Sequence, residues 1–214
     1  MTEIAFLDVI QKQVELFSEL MLLKRLDAGT FSLSDYQRIL LRLFHQVCES
    51  ANTFSLAATF VEPARFEVKS YLMRHAEEEK LHWQWILSDL RNTGYSGVDP
   101  LISLPYPEVA AYIGYNYYVA LKCPIGRLAI AAMLESIGAN FGARYSAKLI
   151  TVLGLNKDQV VFFQGHGDTD VGHTREIVDV LQNAQLSSEE WNTMAGIAET
   201  AGALYRLMYE SGPW

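Results

Sequence analysis

Apolar residues recur at three- and four-residue spacing along almost the whole chain, and no convincing alternation of apolar and polar positions marks a half-buried strand. That period predicts an all-α protein with helices over 4–26, 34–61, 64–93, 107–121, 124–153, 157–183 and 188–210. The breaks between them have chemistry of their own. Ala28-Gly29-Thr30 stops the first helix, and Ser32 or Ser34 can cap the second through a side-chain oxygen. Pro63 suits either the first turn of a new helix or a kink in a longer one. The run from Asn92 to Gly97 ends the third helix and opens the longest loop, which reaches Pro105 and Pro107. Pro124 sits near the start of the fifth helix, Gly154 follows it, and Ser187-x-x-Glu190 is a capping box for the last.

Half of the 214 residues are hydrophobic and 20% are charged, the composition of a globular chain able to enclose a core without staples. No linker or short repeat divides it, so a single helical domain over 1–214 is expected. Two cysteines, Cys48 and Cys123, are too few for a disulfide framework and lack CxxC spacing, which points to a reduced, cytoplasmic setting. The net charge of -8 and the absence of a basic run argue against nucleic acid as a partner. The first residues lack the basic-then-apolar order of a signal peptide, and charged residues or proline interrupt every long apolar stretch, so no membrane association is expected. The expected partner is a small-molecule substrate, with a homodimer left open.

One pattern occurs twice. His75-x-x-x-Glu79-x-x-His82 is followed roughly ninety residues later by His166-x-x-x-Asp170-x-x-His173. On a helix, positions i, i+4 and i+7 fall within a stripe about 60° wide, so each triplet projects two imidazoles and a carboxylate from one face. Four of the five histidines belong to these segments. Such nitrogen and oxygen donors suit iron, manganese or zinc better than calcium or magnesium. Glu79-x-x-His82 is the i, i+3 pair that di-iron helical bundles turn inward, and Glu77 and Glu78 point elsewhere. Around His166, Gly165, Gly167 and Gly172 favour a polar loop as the alternative, yet the apolar flanks carry a helical period through the segment. Glycine there would also let a helix, metal or substrate approach. Asp170 shares a face with both histidines and Asp168 does not.

Glu135 is the only ionisable residue in the apolar run from Leu128 to Ala143, where a carboxylate must be paired, protonated or bound to a cation. A salt bridge to Arg144 or Arg127 is the alternative to a metal. Glu79, His82, Glu135, His166, Asp170 and His173 together form the expected catalytic and metal-ligating set, with room for two irons and a bridging carboxylate. His75 is either a further ligand or a partner that orients one. His45 reads as a core or pocket histidine.

With these residues the chain resembles the heme-oxygenase-like di-iron oxidases, grouped with iron-containing redox enzymes and distantly with TenA and PqqC proteins. The resemblance spans roughly residues 35–210 and rests on three blocks in order. They are Glu78-Glu79-x-x-His82 with Asp89-Leu90 and Gly94, Cys123-Pro-Ile-Gly126 leading to Leu134-Glu135, and the His166 to His173 segment. It implies a seven-helix, heme-oxygenase-like (TenA/PqqC-like) bundle holding two Fe(II) per chain. It also implies dioxygen as co-substrate for the oxidation of a small organic molecule such as an amino acid or fatty-acid derivative. The rival readings are a TenA-like thiaminase, which needs an activated cysteine, a PqqC-like cofactor-free oxidase, and a non-catalytic helical interaction protein. Heme ligation is disfavoured because the first 44 residues contain no histidine. The aromatic stretch from Tyr112 to Lys122 is expected to border the substrate cavity in part, and Lys122, Arg74 and Arg127 are candidates to receive a substrate carboxylate.

Overall fold

The computed structural model describes residues 2–210, the side chains of 167–171 excepted. Among the described residues the chain forms nine α-helices and no strand. They are α1 (Glu3–Ser18), α2 (Met21–Asp27), α3 (Leu33–Phe60), α4 (Phe66–Glu79), α5 (Trp83–Asn92), α6 (Pro107–Lys122), α7 (Gly126–Leu153), α8 (Val161–Asn183) and α9 (Ser188–Glu210). None is long and apolar enough to cross a membrane.

Nine helices replace the expected seven because two of the periodic stretches bend. The first breaks at Glu19 and Leu20, where Leu20 takes an extended backbone and its buried side chain joins the core. The bend lets Phe17 on α1 and Leu22, Leu23 and Leu26 on α2 all face inward. The third breaks at 80–82, where the chain tightens into i→i+3 bonds: His82 N donates to the Glu79 carbonyl and Trp85 N to that of His82. Periodicity survives such a tightening, which is why the pattern of apolar residues does not reveal it.

The cap chemistry resolves the other open points. Ser32, not Ser34, caps α3 in a reciprocal box with Asp35. Pro63 starts a short 3-10 turn that leads into α4. Ser187 and Glu190 exchange side-chain and backbone bonds of 2.8–3.2 Å at the start of α9. Gly154 ends α7 at φ +67°, a left-handed conformation that side chains other than glycine resist.

Helix α7 is apolar on nearly every side, with Leu128, Ala129, Ile130, Ala131, Ala132 and Met133 all buried, as a helix through the middle of a bundle must be. It packs along α8 and also touches α1, α3, α6 and α9. Helix α3 lies along α4, α5 and α6, and α1 lies on α9. The central helix therefore carries Glu135 into a space walled by α3, α4 and α8.

Candidate metal centre

Two histidine pairs define the site. The rings of His75 and His173 lie 4.8 Å apart edge to face, and those of His82 and His166 lie 4.9 Å apart in the same way. Seven residues separate the members of each segment, so α4 and α5 run antiparallel to α8 with one histidine pair at each end of the contact. Between the pairs stand the carboxylates. Ligand atoms of His75, Glu79, Glu135 and His173 lie within 4.8 Å of one another, and so do those of Glu79, His82 and His166. Glu79 belongs to both groups.

The bend at 80–82 shapes this division. It follows Glu79 directly and leaves His82 Nδ1 3.0 Å from Glu79 Oε1, while His75, one turn earlier, faces Glu135 instead. The expected single stripe of His75, Glu79 and His82 is thus two half-sites joined at Glu79. His75 stands among the close donors, with Nε2 3.3 Å from Glu135 Oε1. Glu78, expected to point away, reaches the rim: its Oε2 is 3.5 Å from His173 Nε2 and 3.6 Å from His75 Nδ1.

Glu135 does not pair with arginine among the described residues. Arg144 lies against Asp27, and Arg127 donates to Thr53 (3.1 Å) and stacks over the Phe54 ring (3.7 Å). The neighbours of Glu135 are His75 and His173, whose Nδ1 lies 3.3 Å from Glu135 Oε2. Burial alone would raise the Glu135 carboxyl, but these two imidazoles hold it well below the usual carboxylate range. The same opposition, with His82 as the main partner, lowers Glu79. Burial lowers His166, favouring its neutral form, whereas the bond to Glu135 raises His173. Burial brings the Arg127 guanidinium down to about 10.

Asp170, the sixth expected ligand, and Asp168 lie outside the described side chains. Their backbone is part of α8, so the helical period does run through the glycine-rich segment. Gly165 has a packing reason: a Cβ there would meet the Trp85 ring at 2.8 Å. Trp85 uses that space to stack on His82, centroids 4.1 Å apart and planes 18° from parallel.

Three features test whether this donor set fits a metal. His75 Nε2 and His82 Nδ1 are buried and close to carboxylate oxygens, yet neither has a hydrogen bond of acceptable alignment among the described residues. His166 Nδ1 donates to the Phe162 carbonyl (2.9 Å), which leaves Nε2 as the lone-pair nitrogen. The donors are imidazole and carboxylate, the types iron accepts. The residues fit.

A family model described as iron-containing redox enzyme matches residues 39–207. The chain belongs to that family. Solved structures resemble the chain closely in fold and little in sequence. A domain of unknown function with a heme oxygenase-like fold from Shewanella denitrificans OS217 superposes with a TM-score of 0.89 at 18% identity, covering 98% of this chain and 90% of the other. A TenA homolog from Pseudomonas syringae pv. tomato gives 0.75 at 14% identity, with 96% and 90% covered. Heme oxygenase-1 from the cyanobacterium Synechocystis sp. PCC6803, in complex with heme, gives 0.75 at 14%, with 97% and 90% covered. The fold is therefore heme-oxygenase-like. Comparison with curated proteins found no match.

Beside the two half-sites lies a cavity with His75, Glu79, Glu135 and His166 in its wall. The aromatic stretch of α6 does not border it. Tyr112 faces a separate small recess beside Arg127, Tyr117 bonds Glu49, and Tyr118 is exposed. His45 is half-buried, lies 3.1 Å from the Ser103 hydroxyl, and is also outside the cavity wall. Sequence reasoning missed Trp85 and Tyr71, whose hydroxyl is 3.4 Å from His75 Nδ1. A signal existed: Tyr71 precedes His75 by four residues and Trp85 follows His82 by three, the spacings at which helical side chains meet.

Proposed function

We propose that the chain is a non-heme di-iron oxygenase or oxidase that uses dioxygen to oxidise a small organic substrate, an amino acid or fatty-acid derivative being the class the sequence suggests. The observation that carries this is the sharing of Glu79 between two close donor groups. His75, Glu79, Glu135 and His173 would hold one Fe(II), and Glu79, His82 and His166 the other. Asp170 is assigned to the same centre from its place on α8 between His166 and His173. Iron bound there would supply the electrons and the binding position for dioxygen.

The protein's own part is to present unprotonated donor atoms and to exclude water. The Phe162 carbonyl fixes the His166 tautomer, and Tyr71 and Trp85 set the rings of His75 and His82. Away from the donor residues the cavity wall is mainly apolar and none of its described residues is exposed, so a substrate entering it leaves bulk solvent behind.

A thiaminase-type reaction finds less support. Neither cysteine is in the cavity wall, and burial pushes the Cys48 thiol up to about 11, away from the nucleophilic thiolate. Anaerobic titration with Fe(II), followed by oxygen and an absorption spectrum, tests the proposal. Up to two Fe(II) per chain are expected, with an oxygen-dependent spectral change. If His82→Ala and His173→Ala each bind as much iron as the parent under reducing conditions, the assignment is wrong.

A further inference from the structure

Independently of the metal-centre reading, we infer that the small recess where α3, α6 and α7 meet binds a single monatomic anion, chloride or bromide in size, between Arg127 and Tyr112.

The charge on Arg127 is the first reason. No lysine or arginine is among the described residues of the cavity wall beside the donor groups. Of the three cations considered as carboxylate receivers, Arg74 is exposed and pairs with Glu176, and Lys122 is exposed beside a different recess. Arg127 on α7 is only 1% exposed. Its Nε donates to Thr53 Oγ1 (3.1 Å) and its guanidinium lies over the Phe54 ring, which borders the cavity that Arg127 does not reach. Its Nη1 is buried and has no acceptor among the described residues. Burial leaves the guanidinium at about 10, so the group is charged at neutral pH. No described carboxylate lies within ion-pair distance of it, and Glu79 and Glu135 act on it only at longer range. A buried charge in that position calls for a counter-charge.

The recess supplies the rest of a cradle. Tyr112 on α6 is also 1% exposed, borders the same recess, and has a buried hydroxyl with no partner among the described residues. Burial pushes that hydroxyl up to about 12, so it keeps its proton and can donate. Asn116, one turn along α6, gives one amide N–H to the Tyr112 carbonyl (2.9 Å) and retains another. Thr53 sends its hydroxyl proton to the Ser50 carbonyl (2.9 Å), which leaves its oxygen to accept from Arg127. Glu49 is the carboxylate at the border of the recess, and it is engaged by the Tyr117 hydroxyl and by the Asn52 amide (3.0 Å). The two orphaned groups are therefore both donors, one of them cationic, and they meet in one space. That space has room for about one water molecule, which excludes carboxylate, phosphate and sulfate ligands. Water would supply an acceptor without a charge; a monatomic anion supplies both.

Thermal unfolding of the metal-free 214-residue chain, with gluconate replacing chloride at constant ionic strength, tests this. Raising chloride from trace to about thirty times its Kd should lift the midpoint by roughly 4–8 °C, and bromide should act alike. Arg127→Met, which keeps an unbranched side chain against Phe54 but removes the charge, should abolish the shift. Tyr112→Phe should weaken the halide about fivefold. If Arg127→Met does not fold, crystals of the parent grown in bromide decide, with an anomalous peak expected between Arg127 Nη1 and the Tyr112 hydroxyl. The inference is overturned by a parent midpoint that ignores chloride, by a shift of equal size in Arg127→Met, or by a recess that holds only water in the bromide crystals.

Discussion

Asp89 and Glu135 are both buried carboxylates in a helical core, and their surroundings give them opposite characters. Asp89 on α5 is saturated with donors: Val161 N (2.8 Å) to one oxygen, Phe162 N (3.0 Å) and the Tyr36 hydroxyl (3.1 Å) to the other. It satisfies the first free N–H groups of α8 and so acts as a cap supplied from a distant helix. Burial still pushes its carboxyl up to about 6. Glu135 has no backbone donor among the described contacts; its partners are His75 and His173, themselves unsatisfied or shared, and its carboxyl is held low. A buried acid whose hydrogen bonds are complete is structural. Glu135, whose partners are other metal-ligand types, is the one the proposed centre assigns to a cation.

The strongest way to break this comparison is Glu135→Leu, which fills similar space without charge. Iron uptake should fall and oxygen-dependent turnover should be abolished, while the metal-free protein keeps its thermal midpoint within a few degrees or gains. Retained iron-dependent turnover in that variant would make Glu135 merely structural. Next in size, Asp170→Ala should abolish activity and lower iron occupancy, whereas Asp168→Ala, about 160° away around the helix, should change both little. The reverse result, read by metal analysis and oxygen uptake, would remove Asp170 from the proposed centre.

Asp89→Ala should do the opposite of Glu135→Leu. It leaves two backbone N–H groups and a buried hydroxyl without their acceptor and should cost roughly 2–4 kcal/mol in a denaturant titration. Iron stoichiometry below the unfolding midpoint should be unchanged; a loss of iron without a loss of stability would contradict the cap assignment. The smallest effect is in pH. The folded Asp89 carboxyl keeps its proton up to about 6, whereas the ordinary value is 3.8. Its contribution is therefore fully present below 3.8 and is lost as pH rises through about 6. In the metal-free protein this decline across the window should exceed that in Asp89→Asn, measured by denaturant midpoints at each pH. Equal slopes would show that Asp89 ionises normally in the fold.

Much of this was legible locally. The 3.6-residue period located the helices, and residue type with helical spacing singled out Glu79, His82, Glu135, His166 and His173, which the fold brings together. The role of Glu78, the inclusion of His75 and the bend between Glu79 and His82 were not legible, because a tightened turn preserves the apolar pattern while rotating everything after it. Asp89 stood in a recognised sequence block, but its partners lie 53 and 72 to 73 positions away along the chain. The α6 tyrosines misled for a related reason: an aromatic stripe packs equally well against a core or a cavity, and only its neighbours decide.

The sequence by itself determined the helical architecture and the donor types, since both depend on spacing within a single helix and on side-chain chemistry. The tertiary structure alone decided that Glu79 is common to two donor groups, that Trp85 occupies the space left by Gly165, and that the cavity along α7 has no cation in its described wall. Those features are set by contacts between residues far apart in the chain, and no local period encodes the distance or direction from which a partner arrives.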